Sequence, residues 1–218
     1  MKQAYSLRFS RSVETYERWA VPQRQTANRL VELLNPSGLV LDLGCGTGFV
    51  SQRLPEGCTP VGLDLSPRMV EAYMKNFPKG VVGDAESLPF KEDSFDYTLS
   101  NFSLHWTDLS KSVPEALRVT RKAFGLALPV EGSLEGTDFP FPTAEAVLSL
   151  LRGYERIHFV EDVEIPFEGW NLVRFFHHTG SSLNPLRKRV LSRREIENLI
   201  NSMERPVFRM LFLYVRVA

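Results

Sequence analysis

Three glycines at alternate positions, Gly44, Gly46 and Gly48, stand in the run Leu41-Asp42-Leu43-Gly44-Cys45-Gly46-Thr47-Gly48, with a carboxylate just ahead of them. Glycine adopts left-handed backbone at little cost and lets main chain approach a ligand that a Cβ would push away. The spacing is one residue tighter than the dinucleotide fingerprint, whose last glycine follows the second by three and whose helix N-terminus receives a pyrophosphate. The Lys-Ser or Lys-Thr pair of a triphosphate-binding loop is missing. The pattern therefore suits a ligand that carries adenosine and no phosphate. Asp64 comes twenty residues after Gly44, where an acid at a neighbouring strand end accepts hydrogen bonds from both ribose hydroxyls. Asp84 is placed to accept from an adenine amino group, and Asp42 to attract an ammonium, directly or through water. An isolated Asp more commonly caps a loop or helix, and Asp84 taken alone reads equally either way. The set of three at matching positions beside one glycine loop argues for a ligand crevice.

These residues need strand ends to carry them. Leu39 to Leu43 is a short apolar run bounded by glycines, which suits a strand buried on both faces. A helix is expected from near Thr47 to about Pro55. Pro60 to Leu65 reads as a second strand, followed by a helix with Ser66 as its cap and Pro67 at its first position. Further strands are expected at 80–84, through Phe95 to Ser100, and through Phe124 to Leu128, with a helix around 111–121. Five strands separated by helices or loops imply a doubly wound, mostly parallel α/β sheet. Upstream, residues 11–34 carry apolar positions at helical spacing until Asn35-Pro36-Ser37-Gly38 stops them, giving one or two N-terminal helices. Downstream, residues 132–142 look like the edge of an inserted segment. After them come a helix near 143–152, a strand from Ile157 to Ile165, a helix near 169–178, and one at 193–203 with the Ser192/Glu195 capping-box spacing. The apolar stretch Val207 to Val215 is too long a strand to be left unpaired.

Composition narrows the function classes. The 218 residues contain 26 Lys plus Arg and 26 Asp plus Glu, so no global field favours nucleic acid or an anionic membrane. With 43% hydrophobic residues the chain is long enough for one domain with a full core, and one domain spanning 1–218 is expected. The charged start and the lack of a long apolar run lead to an expectation of a cytoplasmic protein. Cys45 and Cys58 lack paired zinc or redox spacing and are expected as thiols. His105, His158, His177 and His178 lack a ligand set with carboxylates, so no metal is expected.

The motifs together resemble those of class I S-adenosylmethionine-dependent methyltransferases. Val40 to Gly48 is similar to their first motif, Val61 to Ser66 to the second, Gly83 to Phe90 to the third and Ser94 to Tyr97 to the fourth. The resemblance implies S-adenosylmethionine as cofactor and a seven-stranded Rossmann-like sheet with an antiparallel last strand. It also implies donor contacts from the loop residues Asp42, Gly44, Cys45, Gly46 and Gly48. Asp64, Leu65 and Met69 would follow after the second strand, Asp84, Ala85 and Glu86 after the third, and Asn101 and Phe102 after the fourth.

A narrower resemblance lies outside those motifs. Phe9 to Arg18 with Ala20, Gln23 and Arg24, and Ser100 to Trp106 with Asp108-Leu109, are similar to the malonyl-acyl-carrier-protein O-methyltransferases of biotin synthesis. Arg174 to Gly180 and the following Leu-Asn-Pro are similar to that family's C-terminal region. The chain departs from the family in reaching its fifth strand through Val119 to Phe124 rather than a Leu-Lys-Pro-Gly-Gly turn, and it is shorter, which implies a reduced lid within 132–205; the N-terminal helices are expected as a cap over 1–36. The resemblance makes Tyr16 a residue that folds over the crevice and orients donor or acceptor, although a packing partner of Trp19 is an equal reading. His105 is a candidate base or a packing residue, and Trp106 and Arg174 are candidate acceptor contacts. Arg187, Lys188, Arg189, Arg193 and Arg194 cluster in an otherwise neutral chain. An acidic carrier protein would meet them by charge, and a solvated face is the alternative. A free dicarboxylic acid, a quinone-like ring, or no turnover at all are the other readings of the acceptor side.

Overall fold

The computed structural model describes residues 2–137, 139–181, 191–203 and 206–218. One seven-stranded sheet runs through it in the order β3-β2-β1-β4-β5-β7-β6. Its strands are β1 (Leu39–Leu43), β2 (Thr59–Asp64), β3 (Gly80–Val82), β4 (Phe95–Asn101), β5 (Thr120–Pro129), β6 (Arg156–Glu164) and β7 (Val207–Arg216). β1 to β5 pair in parallel, while β7 inserts antiparallel between β5 and β6. The doubly wound sheet with an antiparallel last strand is thus as expected.

Period-two alternation divides the core. In β7, Leu211, Leu213 and Val215 face the side covered by α4 (Leu109–Arg118) and α5 (Ala144–Ser149). Phe208, Met210 and Phe212 face the side covered by α2 (Val21–Leu34) and α6 (Trp170–His178). α2 lies so close to the sheet that a Cβ at Gly125 would come within 2.4 Å of Leu34. The basic and apolar N-terminal stretch forms two helices, α1 (Lys2–Trp19) and α2. Pro22 explains the break, because its ring would collide with the Arg18 carbonyl of a continuous helix. α2 stops where Asn35 turns left-handed (φ 43°), its N–H bonded to Val31.

Two local expectations need correction. The helix expected over 47–55 is a series of turns ending in a 3-10 turn at Ser51–Arg53. The Ser51 N–H donates 3.1 Å to Asp42 Oδ2 instead of to a carbonyl four residues back, and that diversion interrupts the α-helical ladder. β3 ends at Val82, two residues early, because Glu86 N–H bonds Asp84 Oδ1 and Ser87 N–H bonds Asp84 O, curling 84–87 into a turn. The stretch 132–205, read as a partial lid, supplies β6 to the sheet and α6 to one face, together with α5 and α7 (Arg193–Ser202).

Candidate functional site

β1, β2 and β3 lie side by side and run in one direction, so their carboxyl ends open on one crevice, where ligands bind in doubly wound folds. A cavity of about 780 Å³, its open mouth included, lies there. Gly44, Gly46, Asp64, Leu65, Met69, Asp84 and Ala85 line one side, and Asn101, Phe102, Ser103, Trp106 and Thr107, following β4, line another. α1 closes the top with Tyr5, Ser6, Phe9 and Tyr16. The helix is tied down at several points: Ser6 Oγ donates to Leu65 O (3.2 Å), Ser10 and Ser66 share a hydroxyl pair at 2.7 Å, and Thr15 Oγ1 donates to His178 O (3.2 Å).

Asp64 anchors the floor. Its Oδ2 accepts from the Gly46 N–H at 3.0 Å and its Oδ1 from the Ser66 N–H at 2.8 Å, which joins the glycine loop to the start of α3 (Pro67–Tyr73). Each carboxylate oxygen keeps a lone pair, so both can accept from a vicinal diol. Burial raises the Asp64 carboxyl, and the backbone N–H groups of Ser66, Gly46 and Leu65 pull it back. Burial first, and then Asp64, raise the Tyr16 phenol, so Tyr16 stays protonated. The three glycines have different tasks. A Cβ at Gly44 would lie 1.8 Å from Ser103 Oγ, and one at Gly48 2.7 Å from Phe77; only Gly46, with Tyr16 Cε1 4.0 Å away, faces open space.

Residues 41–124 match the family described as "Methyltransferase domain". This stretch is a methyltransferase domain. The resemblance read from the motifs therefore holds. The malonyl-[acyl-carrier protein] O-methyltransferase of Erwinia pyrifoliae is 40% identical over 126 residues, 56% of this chain and 47% of that protein. The same enzyme of Yersinia pestis is 38% identical over 144 residues, 62% of this chain and 53% of that protein. The chain thus spans about half the length of the curated relatives it matches. Among solved structures, a Thermotoga maritima S-adenosylmethionine-dependent methyltransferase, described as a possible histamine N-methyltransferase, superposes with TM-score 0.64 at 20% identity, covering 98% of this chain and 100% of that one. The geranyl diphosphate C-methyltransferase of Streptomyces coelicolor, solved with S-adenosylhomocysteine, does so with TM-score 0.59 at 15% identity, covering 89% and 76%. Both carry the same fold.

Within the methyltransferase domain, several candidates lie off the cavity wall. Asp42 is buried beneath the loop, bonded to Ser51. Cys45 is buried, its Sγ directed at Gly46 O, and both cysteines are free thiols. Gly48 packs against Phe77, and Glu86 Oε1 accepts from the Asp108 N–H at 2.8 Å, tying the 84–87 turn to the start of α4. Beyond the domain, Arg174 is exposed on α6 and donates to Asn171 Oδ1 at 3.0 Å; it lines neither this cavity nor the one described next. Of the basic cluster, Arg187, Lys188 and Arg189 lie outside the described residues. Arg193 is engaged by Glu197 (2.9 Å) and the Trp170 ring (5.6 Å), and Arg194 is exposed. Tyr5, Ser6 and Phe9 were not expected at the site. The spacing of Tyr5, Phe9 and Tyr16 puts all three on one helix face, which is a signal that the sequence carried.

A second cavity of about 420 Å³, open mouth included, adjoins the first and shares Phe9, Tyr16, Phe102 and Trp106 with it. Its remaining walls include Gln23, His105, Phe139, Phe141 and Phe208. Phe102 takes a left-handed φ of 52°, an uncommon conformation for a bulky residue. It turns the chain after β4 so that its ring meets Phe208 edge-on at 4.9 Å. Asn101 donates to Gln23 O at 2.8 Å, locking α2 to the end of β4. Buried among these rings, His105 falls from 6.5 to about 3, and its Nδ1 is buried with no partner among the described residues. It is uncharged at neutral pH.

That state has a measurable consequence. The unfolded chain protonates His105 near 6.5 and the fold only near 3, so between those values stability rises with pH, by up to about 1.4 kcal/mol per unit. Asp42 acts in the opposite sense: desolvation raises it to about 7, so its contribution falls as pH rises from about 4 to about 7. His105→Phe should separate the two slopes. Denaturant titrations should find the variant gaining on wild type as pH falls from 6.5 to 4. A difference independent of pH would mean that His105 carries its proton in the fold.

Proposed function

We propose that this chain transfers a methyl group from S-adenosylmethionine to the free carboxylate of a malonyl thioester. The first cavity fits the donor: Asp64 offers two acceptor oxygens beside the glycine loop, and Gly46 keeps the loop backbone open to the cavity. When bound, the donor supplies an electrophilic sulfonium methyl. Asp84 and Ala85 line the far end, suited to an adenine edge, and Tyr5, Phe9 and Trp106 exclude water. The second cavity then receives the acceptor. The single observation that carries the carboxylate reading is His105, held uncharged at about 3. So weak a base cannot deprotonate a hydroxyl near neutral pH, whereas a carboxylate is already ionised and needs only alignment. Tyr16, protonated and on the wall of both cavities, would donate to a carboxylate oxygen. The malonyl-[acyl-carrier protein] O-methyltransferases similar to this chain support the same acceptor. An acyl carrier protein would approach over exposed Arg193 and Arg194. The ring-lined walls favour a second reading, an uncharged ring as acceptor.

The test is transfer of labelled methyl to malonyl-acyl-carrier protein, malonyl-coenzyme A, free malonate and a hydroquinone. We expect label on the thioester acids and loss of transfer with Asp64→Ala. Label on the hydroquinone alone would replace the carboxylate reading with the second one. Donor binding without label on any acceptor would overturn both.

A further inference from the structure

We propose that Ser51 and Tyr73 are positioning residues for the donor site, acting through the Asp42 carboxylate to set the glycine loop. The inference rests on the donor reading of the first cavity. Asp42 Oδ2 accepts from Ser51 Oγ at 2.7 Å and from Ser51 N at 3.1 Å, and Ser51 Oγ lies 2.8 Å from the Tyr73 hydroxyl. With Asp42 ionised the Ser51 proton goes to the carboxylate, so Tyr73 donates to Ser51. All three are buried, at 2%, 6% and 0% exposure for Asp42, Ser51 and Tyr73, and none lines the donor cavity. Their effect must pass through the backbone. The residues between Asp42 and Ser51 are the glycine loop itself, so the carboxylate clamps both ends of that loop together.

The clamp also explains glycines that no ligand requires. The Tyr73 ring, on α3, reaches Ser51 across Gly62 and Gly48: a Cβ at Gly62 would lie 2.6 Å from its Cζ, and one at Gly48 3.1 Å from its Cδ2. The third glycine of the motif thus makes room for this side chain and for Phe77. The same bonds divert the Ser51 N–H and leave a 3-10 turn where a helix was expected. A buried hydroxyl chain that replaces helical hydrogen bonds under a binding loop points to a fixed loop shape.

The titratable groups facing Asp42 are Asp64 from β2, Cys45 from the loop and Tyr73 from α3. Burial pushes Asp42 up to about 7, and the two Ser51 hydrogen bonds oppose the rise. Removing the Ser51 hydroxyl therefore raises it further. Donor binding should weaken as Asp42 protonates, because the ligand carries an ammonium, and the pH at which it weakens reports the clamp.

The experiment is calorimetric titration of the full chain with S-adenosylhomocysteine between pH 6 and 8.5, for wild type, Tyr73→Phe and Ser51→Ala. Tyr73→Phe should weaken binding by up to about fivefold, the limit reached if the whole worth of one net hydrogen bond is coupled to the ligand. Ser51→Ala should weaken it more and move the acid limb to higher pH. A side chain that only supports the fold would lower the melting temperature and leave the limb in place. Unchanged affinity and an unmoved limb in folded Tyr73→Phe overturn the proposal, and that variant decides alone if Ser51→Ala does not fold. No binding by wild type overturns the donor reading and this inference with it.

Discussion

Replacing Asp64 with alanine is expected to weaken S-adenosylhomocysteine binding by at least about 100-fold, close to 3 kcal/mol. Two losses combine. A carboxylate that accepts from two ribose hydroxyls makes charge-assisted hydrogen bonds, each worth about 1.5–3 kcal/mol. The same carboxylate holds the Gly46 N–H at 3.0 Å and the Ser66 N–H at 2.8 Å, so its removal also frees the loop from the start of α3. Asp64→Asn separates the two: one amide oxygen can still accept from a backbone N–H, and the charge is gone, so a loss of about tenfold is expected. Calorimetry on both variants, with circular dichroism to confirm folding, is the measurement. Binding of Asp64→Ala within twofold of wild type would place the adenosine elsewhere.

The second large effect belongs to Gly44→Ala. At φ 74° the backbone is left-handed, and the new Cβ would sit 1.8 Å from Ser103 Oγ and 2.3 Å from Ser103 Cβ. Ser103 lies between β4 and α4 with no room to retreat without moving the donor wall, on which it also stands. Left-handed strain and overpacking together should cost about 3–5 kcal/mol. Gly57→Ala is the control, since φ there is 90° and nothing lies within 4 Å, leaving strain of only about 1–2 kcal/mol. The double variant Gly44→Ala/Ser103→Gly should recover part of the loss in chemical denaturation, because it removes both colliding atoms. Equal stability for Gly44→Ala and Gly57→Ala would show that the contact with Ser103 is not what demands glycine.

Both experiments turn on a distinction that sequence does not express. Glycine at 44, 46 and 48 was legible as a motif, and the reason first attached to it, room for a ligand, applies in the structure to Gly46. Gly44 yields to Ser103 and Gly48 to Phe77 and Tyr73, contacts made by residues far along the chain. The acids divide in the same way. Asp64 and Asp84 line the cavity, whereas Asp42 turns under the loop because Ser51 supplies two donors there.

The sequence by itself determined the sheet and the location of the crevice. Local apolar runs, the Ser66-Pro67 helix start and the long apolar stretch Val207 to Val215 each specify an element through short-range physics, and right-handed parallel winding then leaves one edge for the ligand. Tertiary structure alone decided what surrounds that crevice. Tyr5 and Phe9 reach it because α1 is bonded to Ser66 and to the end of α6, pairings with no local signature. His105 loses its charge only because Phe102, Trp106, Phe139 and Phe141 gather around it from separate segments. Arg174 stays outside because the buried face of α6 is set by Leu172 and Phe175, leaving its cation to solvent. Strand identity is a property of neighbours in sequence, while the dielectric around a side chain is a property of neighbours in space, and the chemistry of the acceptor cavity depends on the second.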